Sequence, residues 1–61
     1  MKQQIRITVE VPDKLHAGEF KTVFNLVKVV DDSLDFDFKS VLHGLSVLFS
    51  DQAPVILFKV L

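Results

Sequence analysis

Four aspartates fall within seven residues, Asp31, Asp32, Asp35 and Asp37. Carboxylates so spaced can hold a hard cation, act as acid and base, or imitate the charge of a phosphate backbone. A calcium loop would need a central glycine and a closing glutamate, and this stretch has neither, so no metal role is expected. Two roles remain open. Asp and Ser form turns and cap helices, where negative charge complements the helix dipole. Collectively, the four aspartates form a candidate acidic contact surface for a basic partner.

The remaining inventory is poor in chemistry. There is no cysteine, which excludes a disulfide framework, a thiolate zinc site and a thiol nucleophile. His16 and His43 lack the partners that mark a triad or a metal site. Ser33, Ser40, Ser46 and Ser50 lack a glycine-flanked elbow, and Gly18 and Gly44 cannot form a phosphate-cradling loop. No catalytic, cofactor-binding or metal-binding residue is therefore expected, and the chain does not read as an enzyme. Nucleic acid is a minor reading. The net charge is −1 and the seven basic residues are dispersed, but Lys2, Arg6, Lys21 and Lys28 could form a weak basic surface on an N-terminal hairpin.

What must position these groups follows from periodicity. Ile5, Ile7, Val9 and Val11 alternate with Arg6, Thr8 and Glu10, which predicts a half-buried strand ending at Pro12-Asp13. Phe20 to Val30 fits both a helical and an extended template. Its Phe, Thr and Val content, with no N-cap residue in place, favours a second strand. Phe20, Phe24, Leu26 and Val30 are expected on one face, and Val23, Val27 and Val29 on the other. Asp31-Asp32-Ser33 predicts a turn. From Phe38 the period becomes helical, with Val41, Leu42, Leu45, Leu48 and Phe49 completing one stripe and Asp37 placed as cap. The far side of this helix carries Ser40, His43, Gly44 and Val47, small enough for another element to approach or merely solvent-facing; a mid-helix glycine usually has a packing reason. Pro54 blocks continuation, and residues 55–61 form an apolar third strand.

The expected fold is a single α+β domain over residues 1–61, ordered β-β-α-β, with a three-stranded, mainly antiparallel sheet and the third strand beside the first. Val, Leu, Ile and Phe make up 27 of 61 residues. Such a domain buries only about 60% of its unfolded surface, and chains this small usually need a staple. With disulfides excluded, self-association is the expected supplement. One helix cannot cover both faces of a sheet, so Val55, Leu57, Val60 and Leu61 are the candidate self-association residues, and a homodimer is expected. The opening Met1-Lys2-Gln3-Gln4 has no apolar run of secretory length, and no stretch approaches 18 apolar residues; a cytoplasmic address without membrane contact is expected.

Residues 34–42, Leu-Asp-Phe-Asp-Phe-Lys-Ser-Val-Leu, and the closing Lys59-Val60-Leu61 resemble two groups of small phage proteins over about half the chain. One is the prophage YonK family, with an aromatic-Asp-Phe-Lys opening to its helix and no established activity. The other is the uracil-DNA glycosylase inhibitors of Bacillus phages, dimerising strand-strand-helix-strand proteins that present acidic groups as a DNA mimic. This chain lacks the strong acidity and the Tyr-rich second strand of those inhibitors. The resemblance implies a phage-encoded binding protein that acts on a host protein.

Overall fold

A computed structural model of the chain describes residues 2–32, 34 and 36–61. Alternation produces the sheet, as expected. β1 (Gln3–Pro12) pairs antiparallel with β2 (Phe20–Val30) on one side and with β3 (Val55–Val60) on the other, giving the order β2-β1-β3. Between β2 and β3 the chain forms α1 (Phe38–Leu48), so the order is β-β-α-β and the fold α+β.

The loop between β1 and β2 is closed by its own backbone. The Asp13 N–H donates to the Glu19 carbonyl at 2.9 Å and the Glu19 N–H to the His16 carbonyl at 3.1 Å. Gly18 sits at φ 83°, a left-handed conformation in which any side chain would be strained.

Side chains opposite each other in an antiparallel pair share a face. The register therefore puts Ile5 with Lys28 and Val60, Ile7 with Leu26 and Phe58, and Val9 with Phe24 and Ile56. The helix covers this face. Among the described residues, the buried side chains are Ile5, Ile7, Val9 and Val11, all from the central strand. Aromatic contacts tie the helix down: the Phe38 and Phe58 rings meet edge to face at 5.1 Å, and the Phe24 and Phe49 rings lie tilted with centroids 6.5 Å apart.

Two expectations need correction. The register slips between Val9 and Glu10, whose partners are Phe24 and Thr22, leaving Val23 as an extra residue in β2. One inserted residue inverts the faces beyond it. Phe20 therefore pairs with Pro12 on the open face, 55% exposed, instead of lying in the core with Phe24, and Lys21 turns to the helix side with Val11. The helical stripe is also narrower than expected. Phe38, Val41, Leu45 and Phe49 are half-buried, while Leu42 and Leu48 are exposed. Gly44 faces open space, so within the subunit it packs against no other element.

The Asp37 side chain starts the helix by accepting from the Ser40 N–H at 3.0 Å and from the Ser40 hydroxyl at 2.7 Å. After α1 a 3-10 turn (Ser50–Gln52) leads to Ala53 at φ 51°, ψ 62°. A non-glycine residue in that conformation costs about 1–2 kcal/mol, and Pro54 then feeds the chain into β3.

Candidate functional site

The sheet has one covered face and one open face. On the open face the register sets Gln4 beside Val29, Arg6 between Val27 and Lys59, Thr8 between Asn25 and Leu57, and Glu10 between Thr22 and Val55. Apolar side chains dominate its flanks, for Val27, Val29, Val55 and Leu57 are all exposed there. Along its centre run Arg6, Thr8 and Glu10. Arg6 and Lys59 are like charges directly opposite each other, an arrangement that is unfavourable unless something neutralises it. Among the described residues no carboxylate pairs with either one, and Glu10 has no cationic partner; the one ion-pair contact is between His16 and Asp13.

The four candidate self-association residues are 41–50% exposed. They do not share a face. Val55 and Leu57 stand on the open face, whereas Val60 pairs with Ile5 on the helix side. Leu61 follows the strand, its N–H donating to the Gln4 carbonyl at 2.8 Å.

Of the acidic turn, Asp35 lies outside the described residues. Asp31 is exposed, and the Asp32 carboxylate accepts from the Leu34 N–H at 3.0 Å, the local turn bond that an aspartate readily makes. Asp37 caps the helix. The Ser40 hydroxyl first, and the Ser40 N–H second, favour its ionised form and hold its carboxyl below the ordinary value. Asp31, Asp32, Phe36, Asp37 and Ser40 border an open depression of about 470 Å³ between the end of β2 and the start of the helix. Lys28 borders it too, its ammonium 5.8 Å from the centre of the Phe36 ring. The turn is thus both a local device and an acidic rim with one cation across it.

Sequence reasoning found no ligand partners for the histidines, and the fold supplies two for His16. Loop closure brings one ligand atom from each of Asp13, His16 and Glu19 to within 4.8 Å of one another. Asp13 is already engaged: one carboxylate oxygen accepts from the Leu15 N–H at 2.9 Å, and the other lies 3.2 Å from His16 Nδ1. Those two contacts, the Leu15 bond first, hold the Asp13 carboxyl below its ordinary value. The equal spacing of the three residues was the available signal. It becomes informative only once the loop folds back on itself.

The basic residues of the hairpin do not converge. Arg6 lies on the open face, while Lys21 and Lys28 pair with Val11 and Ile5 on the helix side. No helix among the described residues is long and apolar enough to cross a membrane. Compared with known proteins, the chain matches no family model, no curated protein and no solved structure.

Proposed function

We propose that this chain is a small non-catalytic interaction module that works as a homodimer, a phage accessory factor in the cytoplasm that binds and modulates a host protein. One observation carries the self-association. The subunit exposes 4678 Å², whereas a compact monomer of 6.9 kDa exposes about 4,000 Å². The excess is close to the roughly 800 Å² that each partner contributes to a standard interface. Its radius of gyration, 13.0 Å, likewise exceeds the about 10.5 Å expected for this length. A subunit with so much uncovered surface, apolar at Val27, Val29, Val55 and Leu57, is stabilised by a second copy.

The acidic rim is the host-facing element in this reading. Asp31, Asp32 and Asp37 sit around the depression between the end of β2 and the start of the helix, and their charge suits a basic partner. The resemblance of residues 34–42 to phage proteins supports the same assignment.

Size-exclusion chromatography with light scattering tests the dimer. The expected mass is twice 6.9 kDa at micromolar concentration, and a stable species of single mass contradicts the proposal. The nucleic-acid alternative is the weaker reading, because Arg6 is separated from Lys21 and Lys28 by the sheet itself. Salt-dependent binding of a fluorescent oligonucleotide at low ionic strength would revive it.

A further inference from the structure

The geometry points to a specific dimer: two open sheet faces packed on each other about a two-fold axis that runs across the strands at Thr8, so that Arg6 and Lys59 of each copy meet Glu10 of the other. The inference rests on the self-association proposed above and adds the face, the axis and the register.

The argument starts from charge. Arg6 and Glu10 lie two residues on either side of Thr8 and share its face, flanked by Lys59 and Val55 respectively. None of these charges has an ionic partner within the subunit among the described residues. Two sheets stacked about 10 Å apart can be related by a two-fold axis either along the strands or across them. An axis along the strands sets Arg6 against Arg6 and Glu10 against Glu10. An axis across them inverts position along each strand, so Arg6 faces the second copy's Glu10 and two reciprocal ion pairs form. Only this choice neutralises the Arg6-Lys59 repulsion.

The apolar residues agree with it. The same operation keeps β3 over β3 and β2 over β2, which sets Leu57 against Leu57 at the axis. It also lays the stem of Lys59 over Val55 and brings Phe20, opposite Pro12, to Val29, opposite Gln4. The bulge at Val23 thereby acquires a purpose. Without it Phe20 would face the helix side, and the open face would lose its largest apolar side chain. The excess surface of the subunit is of the size such an interface removes from water.

The test uses two single variants, Arg6→Glu and Glu10→Lys, followed by sedimentation equilibrium with circular dichroism. Arg6→Glu places an acid opposite Lys59, which favours the subunit fold; Glu10→Lys adds no like charge beside Thr22 or Val55. Each variant alone is expected to weaken the homodimer on the order of 100-fold, since like charges then meet across the axis. Mixing the two is expected to restore much of the dimer, because positions 6 and 10 are again opposite in sign at both contacts and only one of the two Lys59 ammoniums then meets a lysine. The double variant in one chain is expected to dimerise more strongly than Glu10→Lys and more weakly than the unaltered protein, because both Lys59 ammoniums then meet the lysine at position 10. If the unaltered protein and both single variants dimerise equally well, the face and register are wrong while self-association stands. Monomeric single variants whose mixture stays monomeric, together with a monomeric double variant, also overturn the register. An unaltered protein that is monomeric throughout removes self-association and the register together.

Discussion

Arg6 and Lys59 stand opposite each other across the pairing of β1 with β3, on the sheet face that the helix leaves open. Two cations held side by side among valines and leucines are an unfavourable arrangement for an isolated subunit. They are intelligible as half of a contact. The nearest acid on that face, Glu10, is offset by four residues, and that offset is what a second copy, turned end for end, would bridge.

Leu57 sits at the centre of that contact. Leu57→Lys is expected to weaken the dimer on the order of 100-fold, the loss typical of a central anchor. Its effect on subunit stability should stay within about 0.5 kcal/mol, as for an ordinary exposed position. Sedimentation equilibrium reads the first quantity and urea unfolding at a concentration where both proteins are monomeric reads the second.

Phe38 tests the covered face. Its ring meets Phe36 at 4.7 Å and 74° and Phe58 at 5.1 Å and 88°, joining the helix start to β3. Phe38→Ala is expected to cost about 2–3 kcal/mol in urea unfolding, less than for a fully enclosed ring because Phe38 is half-buried.

Gly44 distinguishes the helix from the sheet as the contact surface. A Cβ added there meets nothing within 4 Å, so Gly44→Ala should stabilise the chain by about 1 kcal/mol through helix propensity and leave the dimer intact. Loss of the dimer in this variant would place the contact on the helix instead.

Acid should weaken the fold through Asp37 and Asp13. Both carboxyls are held below their ordinary value of 3.8, Asp37 by Ser40 and Asp13 by Leu15 and His16. The folded chain then binds fewer protons than the unfolded one, so these groups contribute stability above that value, and the contribution is lost as the pH falls through the lowered pKa. Thermal unfolding followed from pH 6 down to about pH 2 should show a falling midpoint below about pH 4. Asp37→Asn retains a capping oxygen without titrating, and it should flatten part of that fall.

Much of this was legible in the residues. The alternation from Ile5 to Val11 located β1, and the helical spacing from Phe38 to Phe49 with the cap at Asp37 located α1, because each depends on neighbours close in sequence. The bulge was not legible. Nothing in Phe20–Val30 marks Val23 as the inserted residue, since the insertion is defined by its partner strand, and it reversed the expected placement of Phe20. The grouping of Asp13, His16 and Glu19 likewise needs loop closure by backbone hydrogen bonds that carry no side-chain pattern. Leu42 and Leu48 belong to the expected stripe but are left outside the helix-sheet contact, because a single narrow helix meets the sheet along only part of its apolar side.

The most direct measurement is a nuclear Overhauser experiment on a mixture of labelled and unlabelled chains. Phe20 and Val27 lie on one strand, roughly 24 Å apart by strand geometry, with Val29 farther still, so no contact between them can arise within a subunit. Cross-peaks from the Phe20 ring of one copy to the methyl groups of Val27 or Val29 of the other are expected. A dimer whose intermolecular contacts come only from the helix, or a spectrum with no intermolecular contact at millimolar concentration, would contradict the account.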